Sequence, residues 1–557
     1  MSTPYLKTEE LTYWFKNWYT GMANIDSDEY AEPFQGSYMQ SASIWEEQPF
    51  LKPQRSNTAN SGLISGNRIG KLRGYAAYNG KAYTVDHYDA AGTGTQDVYE
   101  ATLTSPAAWT SVNSDTSLDI DTEPPAGVFI QQGLLYYFEE GVAENSNSVI
   151  SRYNIATDTL TVTYDDLDAA AWGNVSNDIG GYVQHTDGIT YLWKGRYIGP
   201  CDGTTLPSAV TPSSAPSGYV IRDAISYGNK ILVIANQIKN QGIATNLADG
   251  LFGGSSLFVY DPYAPGLLYT FDDWYKIQIP NVQGMRLVGG RVLIINADFD
   301  INIWEWLGGD VVNKVATIPV NYNDSSYFGV RWSSITQSAN KLIFGTTSHS
   351  GQIPTSGDRY LSHGIYAYGY EKKGQPWALQ NFAVPATGTT SVNLDLTEVD
   401  YRAVSLLTAD GAGSLFGLGG SIQYLYNTWY DADASAYRNG VLQLGNTSYS
   451  GDCAWESTWI RPIPGRKTTP LKIQLKGAAG TIIVKQRVDD DSGFTTIDTI
   501  SSYTDEEAEL AMNSIANPLT VNFLTGHRHK FRFELNSAST TKLEKVKTIF
   551  RSRQQER

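Results

Sequence analysis

Between Gly284 and Asp310 the sequence alternates short apolar runs with tight polar turns. Met285 to Val288 is followed by Gly289-Gly290. Val292 to Ile295 is followed by a break carrying Asp298 and Asp300, and then by Ile301 to Trp304. Runs of this length and alternation predict β-strands, and glycine supplies the positive φ that tight turns need, so the stretch predicts an antiparallel meander. The unit recurs. A Gly or Asn followed by an apolar strand stands at Gly80, Gly133, Gly188, Gly228, Gly290, Asn340 and Gly413, at spacings of 53, 55, 40, 62, 50 and 73 residues. A period of this size carries about four strands, the sequence signature of a β-propeller blade. The predicted fold is all-β: a seven-bladed β-propeller over residues 61–450, a small C-terminal β-sandwich over 451–557, and an N-terminal arm and connector over 1–60.

Both ends depart from the repeat. Leu11, Trp14, Phe15 and Trp18 stand at the i, i+3, i+4, i+7 spacing of a helix face, with Thr8 to start the helix and Gly21 to end it. These four side chains either pack on the chain's own body or dock on a neighbouring subunit. A propeller closed on itself does not need their area to fold, so they are the candidate subunit interface. Beyond Asp452 the strands Thr458 to Pro462, Leu471 to Leu475, Thr481 to Asp489, Leu519 to Phe523, His529 to Leu535 and Val546 to Arg551 follow without the blade period, with a polar, acidic connection at Asp505 to Glu509. That crowding suggests the sandwich. Two excursions, Gln237 to Ser256, rich in Gly and Asn, and Thr347 to Ser362, are the loops where an exposed contact is expected.

Charge narrows the classes. Lys+Arg 41 against Asp+Glu 57 leaves −16. From Thr458 to the end there are 16 Lys/Arg and 11 Asp/Glu, or +5, so the preceding chain carries −21. An acidic body argues against nucleic-acid binding, which needs clustered cations, and leaves room for head-to-tail contact between copies. Cys201 and Cys453 lie far apart and in no metal spacing, so no disulfide framework is expected. The start, MSTPYLKTEE, lacks the layout of a secretory signal, and no apolar run approaches the ~18 residues of a membrane span, so synthesis in a cytoplasm without a membrane anchor is expected.

No constellation points to catalysis. Asp165-Asp166, Asp272-Asp273, Asp298 and Asp300 read as turn residues bonding their own backbone. Arg73, Arg152, Arg222, Arg286 and Arg331 fall near first or last strands, where an arginine cluster gripping a carboxylate would need them in register. The segment Asp491-Ser492-Gly493-Phe494-Thr495 is similar to the turn core of sialidase-like propellers, but has Thr496 in place of the usual Trp, and reads as a hairpin turn. His527 and His529 are two apart, as on one strand face, with no third ligand evident. No catalytic residue, no cofactor and no metal site is expected.

The order of a propeller with loosely similar blades, then PLKIQLKGAAGTIIVKQRVDDDSGFTTIDTI and a final HKFRFELNS before VKTIF, resembles the propeller-containing tail proteins of tailed bacteriophages, such as the nozzle of short tails. The likeness covers nearly the whole chain as architecture, with no diagnostic motif. It implies a non-enzymatic virion structural protein, partnered by copies of itself in a ring, for which a hexamer is one arrangement, and by tail or portal-region proteins. The alternative is a carbohydrate-active or glycan-binding propeller, since one fold serves both.

Overall fold

A computed structural model of the protein describes residues 10–15, 18, 36–40, 42–43, 51–53, 57–59, 70–89, 94–102, 104–105, 107–118, 127–139, 149–166, 172, 180–238, 252–263, 271–297, 300–318, 330, 334–338, 340–345, 365–370, 374–383, 401–410, 423–431, 436–443, 453–489, 491, 493–500, 507–511, 523–536 and 540–552. Their regular structure is almost wholly β-strand. No helix among them is long and apolar enough to cross a membrane.

From Gly70 onward, consecutive stretches of chain form four-stranded antiparallel sheets. The first holds Gly70–Tyr78, Lys81–Asp89, Gly94–Thr102 and Trp109–Leu118. The second runs from Gly127–Gln131 to Thr159–Asp166, and the third from Gly180–Gln184 to Ser213–Ser214. The fourth runs from Tyr219–Tyr227 to Phe271–Tyr275, the fifth from Val282–Val288 to Val311–Ile318, and the sixth from Ile335–Ser338 to Ala378–Ala383. The last holds Tyr401–Asp410, Gln423–Asp431 and Ala436–Gln443, with Asn57–Ala59 as its outer strand. Each sheet's first strand touches the next sheet's first strand, and that of the last sheet touches that of the first. The sheets therefore follow one another around a closed, propeller-like circuit.

The strand Lys230–Ile238 shows why the sequence reads as continuous apolar runs. Ile231, Val233 and Ala235 pack toward the third sheet, with Tyr191, Trp193 and Ile198. Leu232 and Ile234 face the fifth sheet, with Met285, Val292 and Ile294. Both faces of the strand are covered, so both parities of its period-two pattern must be apolar. The predicted starts at Gly80, Gly133, Gly188, Gly228, Gly290 and Asn340 each fall between a sheet's first and second strands. Asn79 and Gly80 have φ of 49° and 77°, as the type I′ turn requires. Gly413 and most of the two excursions lie outside the described residues.

Two further sheets share one core. The first contains Glu10–Phe15, Lys545–Ser552, Thr468–Lys476 and Glu507–Ala511. The second contains Gly36–Gln40, Cys453–Ser457, His529–Leu535, Ile482–Val488 and Thr495–Ile500. Phe15, Trp18, Trp455, Ile473, Val484, Phe531, Phe533 and Phe550 fill the space between them, and the cluster runs on into Ile343, Ile365 and Ala367 of the sixth sheet.

Several expectations are corrected. Glu10–Phe15 is a strand, paired antiparallel with Lys545–Ser552 so that Trp14 lies opposite Lys547. Thr12, Tyr13, Trp14 and Phe15 are good strand formers, and the C-terminal partner supplies the hydrogen bonds a helix would have made internally. The N-terminal stretch also gives Gly36–Gln40 to the five-stranded sheet and Asn57–Ala59 to the last sheet of the circuit, so it is woven through both parts. The acidic connection contains the strand Glu507–Ala511. The strand expected over Thr458 to Pro462 lies earlier, at Cys453–Ser457, which leaves a bridge between Ile460 and His529.

Candidate functional site

Four first strands are interrupted by β-bulges, between Leu72 and Tyr75, Ile221 and Asp223, Val282 and Gly284, and Ala403 and Ser405. A bulge turns one residue out of the ladder. In the fourth and fifth sheets those residues are Arg222 and Gln283, and they meet: Arg222 Nη2 donates to Gln283 Oε1 at 2.8 Å and its Nε to the Val282 carbonyl at 3.2 Å. Asn236 closes the same seam, its amide exchanging two 3.0 Å hydrogen bonds with the backbone of Val282. Asp223 is fully buried and accepts from the amides of Ala224 at 2.8 Å and Met285 at 2.7 Å, and from Arg286. Arg286 Nη2 donates to the Ile335 carbonyl at 2.6 Å, so one guanidinium joins three successive first strands.

Burial pushes the Arg222 guanidinium down to about 10, which leaves it protonated at neutral pH. Burial likewise pushes the Tyr182 phenol up to about 12, with Arg286 pulling the other way. A carboxylate holding three donors and two guanidinia engaged by main-chain and side-chain acceptors form a lock between sheets. General-base chemistry would require a carboxylate oxygen turned toward a substrate.

The structure separates the other sequence candidates. Arg73 lies in the first sheet's bulge, as far from its strand end as Arg222 is from its own. Arg152 is half-buried on the third strand of its sheet, away from the inner edge, and Arg331 lies outside the described residues. Asp165, Asp166, Asp272 and Asp273 are strand residues, which corrects the turn assignment, because their strands run further than the apolar pattern does. Asp300 is half-buried with its carbonyl accepting from Asn302, and Asp298 lies outside the described residues. Asp491 and Gly493 lie in the hairpin between Ile482–Val488 and Thr495–Ile500, as expected.

His527 and His529 do not share a face. His527 is exposed, whereas His529 is buried, with Nε2 2.8 Å from Thr468 Oγ1 and Nδ1 2.9 Å from Gln486 Nε2. Burial pushes His529 down to about 4. No group of three or more His, Cys, Asp or Glu is placed to hold a metal among the described residues. Cys201 and Cys453 are buried and unbridged.

Of the four candidate interface residues, Phe15 (0% exposed) and Trp18 (1%) belong to the chain's own core. The Trp18 ring meets Trp455 edge-on at 4.8 Å, and its Nε1 donates to the Glu544 carbonyl. Leu11 and Trp14 are half-buried, and Trp14 lies under Lys547 Nζ at 5.3 Å.

The sequence did not reveal a surface built at the opposite extreme of burial. In an antiparallel four-stranded sheet the first and third connections emerge at the same end, so around the circuit they make one face. Neighbouring connections there are stitched together. Gln131 Nε2 donates to the Gly188 carbonyl at 2.7 Å, Thr186 Oγ1 to that of Gly228 at 3.1 Å, and His185 Nδ1 lies 2.8 Å from Ser226 Oγ. Tyr78, Leu206, Tyr227, Tyr263, Leu307 and Val311 all lie on these connections or at the strand ends beside them, and they are 39–59% exposed. They are six of the seven exposed large apolar residues among the described ones; Trp274, on an outer strand, is the other. Tyr227 and Tyr275 both pack on Trp306, which extends the patch between the fourth and fifth sheets. The available signal was a large apolar residue directly before a turn glycine, as at Tyr227-Gly228 and Leu307-Gly308.

No family model and no curated protein matches the sequence. Among solved structures, the chain is similar to one titled a glycoside hydrolase, at 10% identity and a TM-score of 0.30, over 88% of this chain and 99% of that one. It is also similar to the computationally designed Ika8 protein, at 10% identity and a TM-score of 0.33, over 70% of this chain and 100% of that one. Likeness at this level carries no argument about activity.

Proposed function

We propose that the protein is a non-enzymatic structural component that assembles with copies of itself, of the kind found in the tails of tailed bacteriophages. It is built as a seven-bladed propeller with a C-terminal sandwich. The observation that carries this reading is the turn face. A patch of exposed tyrosine, leucine and valine rimmed by aspartates is costly to leave in water, and such patches mark contact surfaces. Two further points support it. Arg222, Asp223 and Arg286 on the first strands are engaged in holding sheets together, and the sixth sheet shares its core with the C-terminal sheets, which favours a rigid building block. The role places the protein in a virion beside tail or portal-region proteins.

Native mass measurement and particle imaging of the purified chain test the reading, with symmetric assemblies expected. A monomer at every concentration, or polysaccharide cleavage lost on changing one carboxylate of the circuit, would overturn it. A second reading, glycan binding without catalysis, is favoured by the exposed rings of Tyr78, Tyr227 and Tyr263 on one face, since aromatic rings offer flat apolar surfaces. It expects saccharide binding by a monomer that is lost in Tyr263→Ala.

A further inference from the structure

We infer that the turn face is one half of a head-to-tail joint, and that its other half is the basic loop 461–467 of a second copy. The inference rests on the assembly reading above and names its surfaces.

The turn face is acidic as well as apolar. Three of its cations are paired within it: Lys81 with Glu100, Lys230 with Asp261 and Arg291 with Glu305. Asp158, Asp187, Asp202 and Asp310 accept instead from neutral donors. These are the Tyr153 hydroxyl, the Ile189 amide and Tyr191 hydroxyl, Thr204 and Thr205, and the Lys276 amide. None of the four has a cation partner among the described residues.

The complementary surface lies in the C-terminal sheets. The bridge between Ile460 and His529 sets Arg461 next to Arg528. Around the Trp459 ring stand Arg528 at 4.5 Å, Arg487 at 5.5 Å and Lys530 at 5.7 Å. The loop beyond adds Arg466 and Lys467, exposed like Arg461. Carboxylates answer part of this charge: Glu456 takes Arg532 and Lys530, while Asp489 accepts from the amides of His527 and Arg528. Arg487 and Lys530 are buried, so the exposed charge of this surface is that of Arg461, Arg466 and Lys467.

The two surfaces lie on different parts of the chain. The basic loop belongs to the sheets packed on the sixth sheet, whereas the apolar patch runs over the first, third, fourth and fifth. Opposite charge on two separate surfaces of one chain makes a heterologous contact, which repeats into a ring or a filament. At roughly 100 Å² each, half of what an aromatic side chain buries, six half-exposed apolar residues offer some 600 Å². That approaches the ~800 Å² per partner of a stable interface, with polar rim to supply the rest.

The test uses the full chain and two variants that alter only exposed groups, Leu307→Ser with Val311→Ser, and Arg466→Glu with Lys467→Glu. Each keeps one half of the joint intact. Sedimentation should show wild-type oligomers whose dissociation constant rises about tenfold or more between about 50 and about 500 mM salt. Each variant alone should sediment as a folded monomer, and an equimolar mixture should form a dimer that grows no further. Wild-type-like oligomers from either variant, or a mixture that stays monomeric, would overturn the joint while leaving self-assembly standing. A wild-type chain that is monomeric throughout would overturn both.

Discussion

Trp18→Ala distinguishes core from interface at the N-terminus, and Trp14→Ala is its control. In a helix the two tryptophans would lie on one face and be lost at similar cost. In the structure they part company. Trp18 is 1% exposed, edge-on to Trp455, with its indole N–H on the Glu544 carbonyl. Removing a buried tryptophan costs ~3–5 kcal/mol, because the surroundings close the cavity only in part, and the orphaned carbonyl keeps the cost at the upper end. Trp14 is half-buried against Lys547 on the neighbouring strand, so its loss removes a cross-strand contact worth ~0.5–1 kcal/mol. Set against a typical stability of ~5–15 kcal/mol, the first change is large and the second minor. Urea titration followed by hydrogen exchange in peptides spanning His529–Leu535 and Lys545–Ser552 reads the difference where the N-terminal strand docks. Equal effects of the two substitutions, or an unchanged exchange profile in Trp18→Ala accompanied by weaker self-association, would refute the reasoning and restore the interface assignment.

Asp223→Asn leaves Arg286, only 17% exposed, without its counter-charge and should cost about 3 kcal/mol in thermal or urea unfolding; adding Arg286→Met should recover part of the loss. Gly284→Ala should cost ~1–3 kcal/mol, because its Cβ would lie 2.5 Å from Ile335 Cδ1 and 2.8 Å from Asp223 Oδ2. Gly290→Ala meets nothing within 4 Å and pays only for its φ of +82°, ~1 kcal/mol. His529 is held neutral down to about pH 4, whereas the unfolded chain protonates near 6.5, so as pH falls through that window the unfolded state binds more protons. Stability of the C-terminal sheets should drop by ~3 kcal/mol between those limits, and a urea-midpoint profile that is equally steep in His529→Gln would exclude the histidine as the cause.

The circuit of sheets was legible because its information is local. Each first hairpin is written as an apolar run, a turn residue able to take positive φ and a second apolar run, and six of the seven starts located this way fall in the turn they were assigned to. What was not legible depends on partners far along the chain. Leu11, Trp14, Phe15 and Trp18 fit a helical period, yet Trp14 pairs with Lys547, more than five hundred residues away, and nothing near residue 14 records that an edge is waiting there. Asn57–Ala59 is similar: three polar or small residues become an outer strand only because Ala436–Gln443 has a free side. The turn-face apolar residues were passed over for a different reason. Pattern reading assigns a large apolar residue at a strand end to the core, and only the structure shows which ends stop short of cover.

The lock between the fourth and fifth sheets occupies a middle ground, since its logic is in the sequence once the repeats are superposed. Setting Tyr227-Gly228 on Val288-Gly289 puts Arg222 on Gln283 and Asp223 on Gly284. An aspartate in one repeat then corresponds to a glycine in the next, two residues before an arginine. The structure shows why this arrangement is workable. The absent Cβ of Gly284 leaves room for the Asp223 carboxylate, which the Met285 amide and Arg286 then satisfy. Reading Asp223 or Arg286 alone gives a possible catalytic acid or a substrate clamp. Reading the three positions together gives a steric vacancy, the anion that fills it and the cation that neutralises it, which is what a buried charge needs in order to be structural. The same comparison predicts the order of failure: enlarging Gly284 expels the carboxylate before it disturbs either sheet's own ladder, so Gly284→Ala and Asp223→Asn should be markedly non-additive, with a double mutant little worse than the more damaging single.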